Sequence, residues 1–433
     1  MKIENLRTER NENRARVAAT VSWEDCDRPS YELFFETEEV FAESISCNPH
    51  AFLLACAIPA MYYGEKRLFI DAEICPTLKD GLICAMSWLR NWWYELDRGH
   101  VHIESKGNSC TFSPRKSAHA GFFFSGGIDS FATLFNNRQN FPSEHPRSIK
   151  DGLVVYGLEL DDPKSFEYVV QSLSSVSKRI NIELIPVYTN LYLEYRNEDA
   201  ANGWRLWTQE FCGAALAAIA HAFARRFSFV SIAASIDIPT IPLKNRQNVK
   251  PLGSHPLLDP YFSSCDLQIL SDGLALSRLD KTKLLAQWDV ALQNLRVCNN
   301  YKLYRPGKLN CGKCEKCVRT MLALLALDLL EKTDVFGEKD VSRELLTKVN
   351  ITHETTVDKY TLAHYYYEPL IQYLKKRNRY DLAHVIESVI TKAYSRKNNL
   401  KKIIKTFYNN HLNNHNTKYK KDISHSNNID IQY

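Results

Sequence analysis

Short runs of consecutive apolar residues recur through the middle of the chain, and segments of helical periodicity separate them. The runs around Phe122, Val154, Ile185 and Val230 have the length of buried strands. Strands that are apolar on both faces and alternate with helices form parallel sheets covered by helices. Residues 117–297 therefore predict a doubly wound α/β domain with a parallel sheet.

The regions on either side of this domain have different patterns. Residues 1–116 combine short strand patterns with apolar helical segments, which predicts a separate N-terminal α+β domain of unknown role. Residues 298–332 hold a cysteine-rich segment followed by an apolar helix, and residues 333–408 predict a helical extension. Residues 409–433 are rich in asparagine and basic side chains, so we expect a disordered tail.

The composition of the chain limits which kinds of binding partner we expect. The net charge of the 433-residue chain is +5, which is too small to indicate nucleic-acid binding by itself. Residues 392–421 carry basic and no acidic side chains, so a nucleic-acid contact of the tail stays open. No signal peptide and no apolar run of roughly 20 residues is found. We expect a cytoplasmic protein without a membrane partner, in which the 12 cysteines are thiols or metal ligands.

The first apolar run of the central domain ends in a glycine loop that carries Ser125, Gly126, Gly127, Asp129 and Ser130. Adjacent glycines let main-chain amides approach a ligand, and the start of the following helix favours an anion. The pattern predicts a phosphate-binding loop between a strand and a helix. A helix-capping turn is the alternative, although such a turn needs only one glycine and no acidic residue.

Acidic side chains follow two further strands of the predicted sheet. Residues 159–162 end one strand, and Asp237 follows another. Ligands of parallel sheets bind beyond the carboxyl ends of the strands, where these acids and the glycine loop would meet. Because Mg²⁺ prefers oxygen ligands, this crevice predicts a magnesium site that includes Asp129 and Asp237. Capping of the next turn is an equally good interpretation of Asp161 and Asp162.

Four cysteines lie within 20 residues: Cys298, Cys311, Cys314 and Cys317. Three of them are spaced by two intervening residues, which lets their thiolates converge on one ion while the fourth closes a tetrahedron. The spacing predicts a structural zinc site, with an iron–sulfur cluster as the alternative.

The glycine loop resembles the SGGxDS motif of the PP-loop ATP pyrophosphatase superfamily, whose nucleotide domain is Rossmann-like. A four-cysteine zinc site near the end of that domain makes the chain similar to the 7-cyano-7-deazaguanine synthase branch, including relatives associated with anti-phage defence. The resemblance covers residues 117–330. It implies that residues 125–130 bind the pyrophosphate of ATP, that Asp129 helps to place Mg²⁺, and that Lys281 reaches the phosphates.

A physical argument also predicts that Lys281 lies near an anion. A lysine in the first turn of a helix is disfavoured by the helix dipole, so a bound anion would explain its position. A solvated surface lysine is the alternative. The proline-rich and glycine-rich loop at residues 251–260 predicts a substrate lid with His255 and Asp259, although His255 could equally make a structural hydrogen bond. Arg319, beyond the cysteines, completes the candidate substrate residues.

The resemblance implies an ATP-dependent ligase. A small-molecule carboxylate, such as a 7-deazaguanine, would be adenylated with release of pyrophosphate. Amide or nitrile formation, or conjugation to an amine such as that of an acceptor protein, would follow. The longer first cysteine spacing, the sequence of the 251–260 loop and the two added end regions depart from the branch and leave the substrate open. Two alternatives remain: a tRNA-modifying sulfurtransferase, and a non-catalytic, zinc-stabilised subunit that binds ATP.

Overall fold

The protein is an α/β structure with one large, mostly parallel sheet, as the sequence predicts. The computed structural model describes residues 1–94, 99–109, 118–202, 204–241, 251–304, 307–349, 351 and 363–392. The strands are β1 (Lys2–Arg10), β2 (Arg14–Ser22), β3 (Tyr31–Glu38), β4 (Arg67–Ile74), β5 (His102–Asn108), β6 (His119–Phe123), β7 (Ile149–Tyr156), β8 (Glu183–Thr189), β9 (Phe227–Ala233) and β10 (Gln268–Asp272). Their order in the sheet is β10-β9-β6-β7-β8-β3-β2-β1-β4-β5.

Twelve helices accompany the sheet in the described part of the chain. They are α1 (Pro49–Tyr63), α2 (Pro76–Trp93), α3 (Ile128–Asn140), α4 (Pro163–Arg179), α5 (Arg196–Ala201), α6 (Cys212–Ala222), α7 (Arg278–Leu285), α8 (Asp289–Leu292), α9 (Glu315–Ala326), α10 (Arg343–Lys348), α11 (Ile371–Lys376) and α12 (380–392). A π-helical turn at Leu206–Phe211 precedes α6.

The five strands from β10 to β8 are all parallel, and β6 lies in the middle of them. Phe122 of β6 is in register with Gly152 of β7 on one side and with Ser231 of β9 on the other. Both neighbours are small or buried, and the apolar side chains of these strands pack against helices on both faces. The loop that follows β6 therefore emerges at the centre of the carboxyl edge.

The N-terminal strands continue the same sheet. Strand β3 pairs antiparallel with β8, with Glu36 opposite Tyr188, so residues 1–109 form no sheet of their own. Val17 and Phe35 belong to the same buried core as Ile185 of β8. The prediction of a separate domain is thus corrected in one respect: the N-terminal α+β region is an extension of the central sheet. Local patterns do not reveal this pairing, because it joins segments about 150 residues apart.

The C-terminal helices pack against the helix that leaves the cysteine segment. Leu374 of α11 and Leu382 of α12 share a buried core with Met321 of α9 and Phe131 of α3. The predicted tail at residues 409–433 lies outside the described residues. Among the helices that the structure describes, none combines the length and the apolar character that crossing a membrane requires.

Candidate functional site

The glycine loop connects β6 to α3 and leaves the first amides of that helix uncapped by any side chain. Gly127 occupies the N-cap position without a side-chain hydrogen bond to the helix. Gly126 has φ +75°, a backbone conformation that residues with a Cβ rarely adopt. The Ser130 hydroxyl donates to the Gly127 carbonyl at 3.0 Å, and the Gly127 amide donates to Ser125 Oγ at 3.3 Å. The loop thus leaves the first amides of α3 without a side-chain cap among the described residues, which is the arrangement that an anion-binding helix N-terminus requires.

This loop forms one wall of a cleft of about 440 Å³ at the carboxyl edge of β6, β7 and β9. Four cationic side chains and two carboxylates line the cleft: Arg278, Arg296, Lys316, Arg319, Asp129 and Glu159. Apolar residues of the three strands and Trp207 form its floor and one side. A cleft of this size with an excess of positive charge is suited to a polyanionic small molecule.

Asp129, at the start of α3, is held by two cations from α7. Its Oδ2 lies 2.8 Å from Arg278 Nη2, and its Oδ1 lies 3.3 Å from Lys281 Nζ. Lys281 is 1% exposed and also donates to the carbonyl of Ala234, at the end of β9. The surface-lysine alternative is therefore wrong, and the ammonium group of Lys281 stands between the loop and the sheet edge.

Arg278 is the cation that the sequence reading missed. Burial opposes the charge on its guanidinium, but Asp129 outweighs this cost, with help from Tyr366 and Tyr365, and the pKa of Arg278 is raised. The argument that singles out Lys281 applies equally to Arg278, because both are cationic residues in the first turn of the same helix.

A second group of cations comes from the cysteine segment and from α9. The Arg319 guanidinium lies over the ring of Tyr366 at 3.9 Å and pairs with Glu315 at 3.4 Å. Tyr366 also lies 5.4 Å from Arg278, so the C-terminal extension supplies one residue of the cleft between two arginines. The sequence placed Arg319 among the substrate residues, and the structure places it in this cleft.

Glu159 faces this second group of cations across the cleft. The Glu159 side chain is exposed at the cleft, where the surrounding protein still withholds part of the bulk water from it and opposes its charge. Lys316, Trp207, Arg296 and Asn299 outweigh that cost and lower the pKa of the carboxyl group. Trp207 donates to Glu159 at 3.5 Å, and Asn299 donates to its other oxygen. Glu159 is thus charged at neutral pH and held in place at the wall of the cleft.

The four predicted cysteine ligands converge beside the cleft. The Sγ atoms of Cys298, Cys311, Cys314 and Cys317 all lie within 4.8 Å of one another. Two of the separations are 3.6 Å (Cys298 to Cys314) and 3.9 Å (Cys311 to Cys317). A tetrahedral ion with Zn–S bonds of about 2.3 Å holds its sulfur atoms roughly 3.8 Å apart. The cluster therefore fits a single metal ion such as zinc, and it is narrow for a cage with several iron atoms.

The cysteine site is connected directly to the glycine loop through Arg296. The Arg296 amide donates to the Gly126 carbonyl at 2.7 Å, and its guanidinium donates to the Ser125 carbonyl at 3.2 Å. The same guanidinium donates to the Tyr304 hydroxyl at 3.1 Å, which donates to the Cys298 carbonyl at 3.0 Å. A metal ion that orders Cys298 therefore also positions the arm that holds the loop.

Buried Asn310 joins the two arms of the cysteine site. Its Oδ1 accepts from the amides of Val297 and Cys298 at 2.9 and 3.2 Å. Its Nδ2 donates to the carbonyls of Leu295 and Val335 at 2.7 and 3.3 Å. Because Asn310 precedes Cys311, this side chain keeps the distant first ligand, Cys298, next to the other three.

Two of the predicted substrate residues lie away from the cleft. The loop that carries His255 and Asp259 is packed inside the protein, and a Cβ on Gly253 would approach the backbone at Glu210 to 2.7 Å. His255 is 2% exposed, accepts from the Leu257 amide at 3.0 Å and lies 4.9 Å from the Trp92 ring. These contacts favour the structural alternative for His255, and the loop has the packing of an internal segment rather than of a lid.

Asp259 organises that loop. Its carboxylate accepts from the Ser254 hydroxyl at 2.9 Å, from the His255 amide at 3.2 Å and from the Ser271 hydroxyl. Burial raises the pKa of Asp259 to about 6, although these three hydrogen bonds oppose the shift. A substrate role for Asp259 has no support from its position.

The remaining predicted acids separate into different roles. Asp162 caps α4 by accepting from the Ser165 amide at 2.8 Å, which confirms the capping alternative. Asp161 pairs with Arg196 and accepts from the Tyr301 hydroxyl at 2.7 Å. Asp237 is in the turn after β9, two residues beyond the cleft residue Ser235, and its buried Oδ1 has no hydrogen-bond partner among the described residues.

No known protein family has a model that matches this chain. No curated protein matches it, and no solved structure matches it either. The fold and the cleft define an α/β protein with a glycine loop at the carboxyl edge of its sheet and an adjacent cluster of four cysteines that could hold a metal ion such as zinc.

Proposed function

We propose that the protein is an ATP-dependent ligase that adenylates a small carboxylate, releases pyrophosphate and passes the acyl group to an amine. One observation carries the proposal: the open amides of the glycine loop and the cations of α7, α9 and the cysteine segment face a single cleft. A triphosphate is the common metabolite whose charge and extent such a cleft would match.

In this reaction the substrate carboxylate attacks the α-phosphate of ATP. The bond to the β-phosphate breaks, pyrophosphate leaves, and an acyl-adenylate remains. The amine then attacks the acyl carbon, AMP leaves, and the amine gives up a proton. Positioning and charge neutralisation supply the rate enhancement, so no side-chain nucleophile is required.

Each part of the cleft then has a role. The amides of residues 126–130 and Arg278, which lines the cleft, would hold the leaving pyrophosphate. Lys281 is 1% exposed and pairs with Asp129, and would add its positive charge from behind this carboxylate. Arg319 and Lys316 lie further along the cleft and would bind the carboxylate or the α-phosphate.

Mg²⁺, when bound, would neutralise phosphate charge. Asp129 lines the cleft and pairs with Arg278 and Lys281, and its Oδ1 has no hydrogen-bond partner among the described residues. One buried oxygen of Asp237 also has no such partner in the described part of the chain, but Asp237 is not among the described residues that line the cleft. Asp129, as the resemblance implies, and Asp237 would both offer an oxygen to Mg²⁺, and Asp129 would also orient Lys281 and Arg278.

The cysteine cluster is proposed as a structural zinc site. Four thiolates close the coordination sphere and leave no position for a reacting water. Its contribution to the reaction is the position of Arg296 and, through it, of the glycine loop.

A sulfurtransferase would need a cysteine in the cleft to carry sulfur. None of the described residues that line the cleft is a cysteine. The geometry therefore does not favour this alternative.

The test is to incubate the protein with ATP, Mg²⁺ and 7-carboxy-7-deazaguanine, with ammonium or a protein fraction as the amine donor. We expect AMP and pyrophosphate in equal amounts, and a mass increase on the deazaguanine or on an acceptor protein. ADP as the product, or tight ATP binding without AMP under all of these conditions, would contradict the ligase proposal.

A further inference from the structure

Two cysteines that are 190 residues apart in sequence, and that lie outside the four-cysteine cluster, meet in the structure. Cys75 precedes α2 in the N-terminal extension, and Cys265 precedes β10. Their Sγ atoms are 3.3 Å apart, and both are thiols. A disulfide bond is about 2.0 Å long, so the two sulfur atoms need to approach by little more than ~1 Å to form one.

The surroundings of Cys75 stabilise a thiolate. Cys75 is the N-cap of α2, a helix of 18 residues, and its sulfur accepts from the Cys265 amide at 3.4 Å. Burial opposes the charge, but the amides of Leu78, Cys265 and Thr77 and the Cys265 thiol outweigh that cost and lower the pKa of Cys75. The thiolate is the nucleophilic form of cysteine, and the N-terminus of a helix stabilises it.

The two thiols differ in access to solvent. Cys75 is 2% exposed, whereas Cys265 is exposed and lies 3.4 Å from the Thr77 hydroxyl. A small oxidant in solution therefore meets Cys265 first, and Cys75 stands directly behind it. This arrangement of an exposed thiol with a second thiol in contact is that of a redox-sensitive pair.

We infer that Cys75 and Cys265 are a redox-active pair that forms a reversible disulfide on exposure to a peroxide. The sulfur of Cys265 attacks one oxygen of hydrogen peroxide as its thiol gives up its proton, the O–O bond breaks, and the hydroxide that leaves takes up this proton to become water. The resulting sulfenic acid is attacked at sulfur by the Cys75 thiolate, the S–O bond breaks, and the hydroxide that leaves takes up the proton released by the Cys75 thiol to become the second water. Two thiols are oxidised by two electrons, and one peroxide is reduced to two waters.

The disulfide would join the N-terminal extension to the edge of the parallel sheet. The chain beyond Cys265 forms β10 and then reaches Arg278 and Lys281. A thiol reductant would restore both cysteines, because exposed disulfides are accessible to exchange. The pair is separate from the cleft, so this inference does not depend on the proposed ligase activity.

The experiment uses the full-length, zinc-loaded protein, reduced and then treated with hydrogen peroxide in the presence of dimedone, which traps sulfenic acids. Peptide mass spectrometry without reductant should show the Cys75–Cys265 disulfide as the main product. The cross-linked chain should also migrate faster on a denaturing gel, and dithiothreitol should reverse the shift. In Cys75→Ser the gel shift should vanish, and the dimedone adduct at Cys265 should rise at least fivefold over the wild type.

Cys84→Ser is the matched control, because Cys84 lies on the same helix α2 and contacts neither thiol of the pair in the described structure. This variant should form the disulfide as the wild type does. Equal dimedone adducts at Cys265 in the wild type and in Cys75→Ser would overturn the inference, as would a peroxide-treated wild type without the Cys75–Cys265 peptide. Circular dichroism establishes that each variant is folded before it is compared.

Discussion

The two ends of strands β6 and β7 carry clefts of opposite character. The cleft at the carboxyl end, about 440 Å³, is lined by four cations and two carboxylates. The cleft at the amino end is larger, about 640 Å³, and is lined by two lysines, two histidines and three carboxylates. We refer to them as the carboxyl-end cleft and the amino-end cleft. By volume, the amino-end cleft would be the better candidate for a ligand site. By charge, the carboxyl-end cleft is the better candidate for the site of an anionic ligand.

Two of the three carboxylates that line the amino-end cleft, Asp151 and Glu183, are paired with Arg226. Arg226 donates to both oxygens of Asp151 at 2.8 and 2.9 Å, and His119 contacts the same carboxylate at 2.8 Å. Arg226 also pairs with Glu183. At the carboxyl end, by contrast, the positive charge exceeds the negative charge, and uncapped helix amides add to it. This difference is why we propose the anion site at the carboxyl end: an excess of positive charge beside open backbone donors is a better criterion for anion binding than volume.

The largest expected effect is the loss of Lys281. Lys281→Met should lower the rate of pyrophosphate release by about 100- to 1,000-fold, because it removes a preorganised charge from the leaving group. The rate is measured with ATP and 7-carboxy-7-deazaguanine as in the test of the ligase proposal.

Lys283→Met is the matched control for this prediction. Lys283 lies on the same helix, is 42% exposed on its side chain and pairs with Asp280 outside the cleft. It should change the rate by less than about twofold, as surface substitutions do. Equal losses in both variants would show that α7 matters only for stability.

The next effect concerns the amino-end cleft and should appear in stability alone. Asp151→Ala leaves Arg226 and His119 without their shared carboxylate, which is 1% exposed. The free energy of unfolding, measured by urea denaturation, should fall by about 3 kcal/mol, the cost of breaking a buried pair. ATP affinity of the folded variant should be unchanged. A tenfold loss of affinity would break the distinction between the two clefts.

A smaller effect should link the metal site to the carboxyl-end cleft. Cys314→Ser, or removal of the metal by a chelator, releases the arm through which Arg296 holds the carbonyls of Ser125 and Gly126. ATP should bind about tenfold more weakly, which is about 1.4 kcal/mol. Cys212→Ser, on α6 and outside the cluster, is the control and should bind ATP normally. Unchanged affinity in the metal-free protein would mean that Arg296 does not depend on the metal.

The smallest expected effect is the pH dependence of stability that Asp259, a structural carboxylate, should cause. The folded-state pKa of Asp259, about 6, lies above the usual 3.8, so its contribution to stability is complete below pH 4 and is lost as the pH rises through 6. Between pH 5 and 7 the wild type should lose about 1 kcal/mol relative to Asp259→Asn. The two denaturation curves would be compared at each pH. Parallel curves would mean that Asp259 titrates normally.

Local sequence was enough to predict the strand, the glycine loop, the following helix and the convergence of the four cysteines. Each of these depends on residues that are close in sequence or on a spacing that a metal ion requires. The pairing of β3 with β8 was missed because such pairing has no local signal. The sequence analysis did not single out strand β1 for a different reason: five of its nine side chains are charged, and only that of Ile3 is buried.

The residues of the candidate site also divide into those that local sequence predicts and those that it does not. Lys281 was predicted by its unfavourable position in the first turn of a helix, whereas Arg278 was passed over three residues earlier in the same turn. His255 and Asp259 were assigned to a lid because their loop is rich in proline and glycine. Tertiary packing against Trp92 and α6 makes that loop internal, which no composition can indicate.

The central claim, that the carboxyl-end cleft is the nucleotide site, has a direct test. Calorimetric titration of ATP with Mg²⁺ would compare the wild type with Lys281→Met and with a Lys150→Met, Lys178→Met double variant of the amino-end cleft. We predict that the double variant binds ATP within about twofold of the wild type and that Lys281→Met binds at least tenfold more weakly, about 1.4 kcal/mol. Weaker binding in the double variant, with Lys281→Met unchanged, would contradict the assignment.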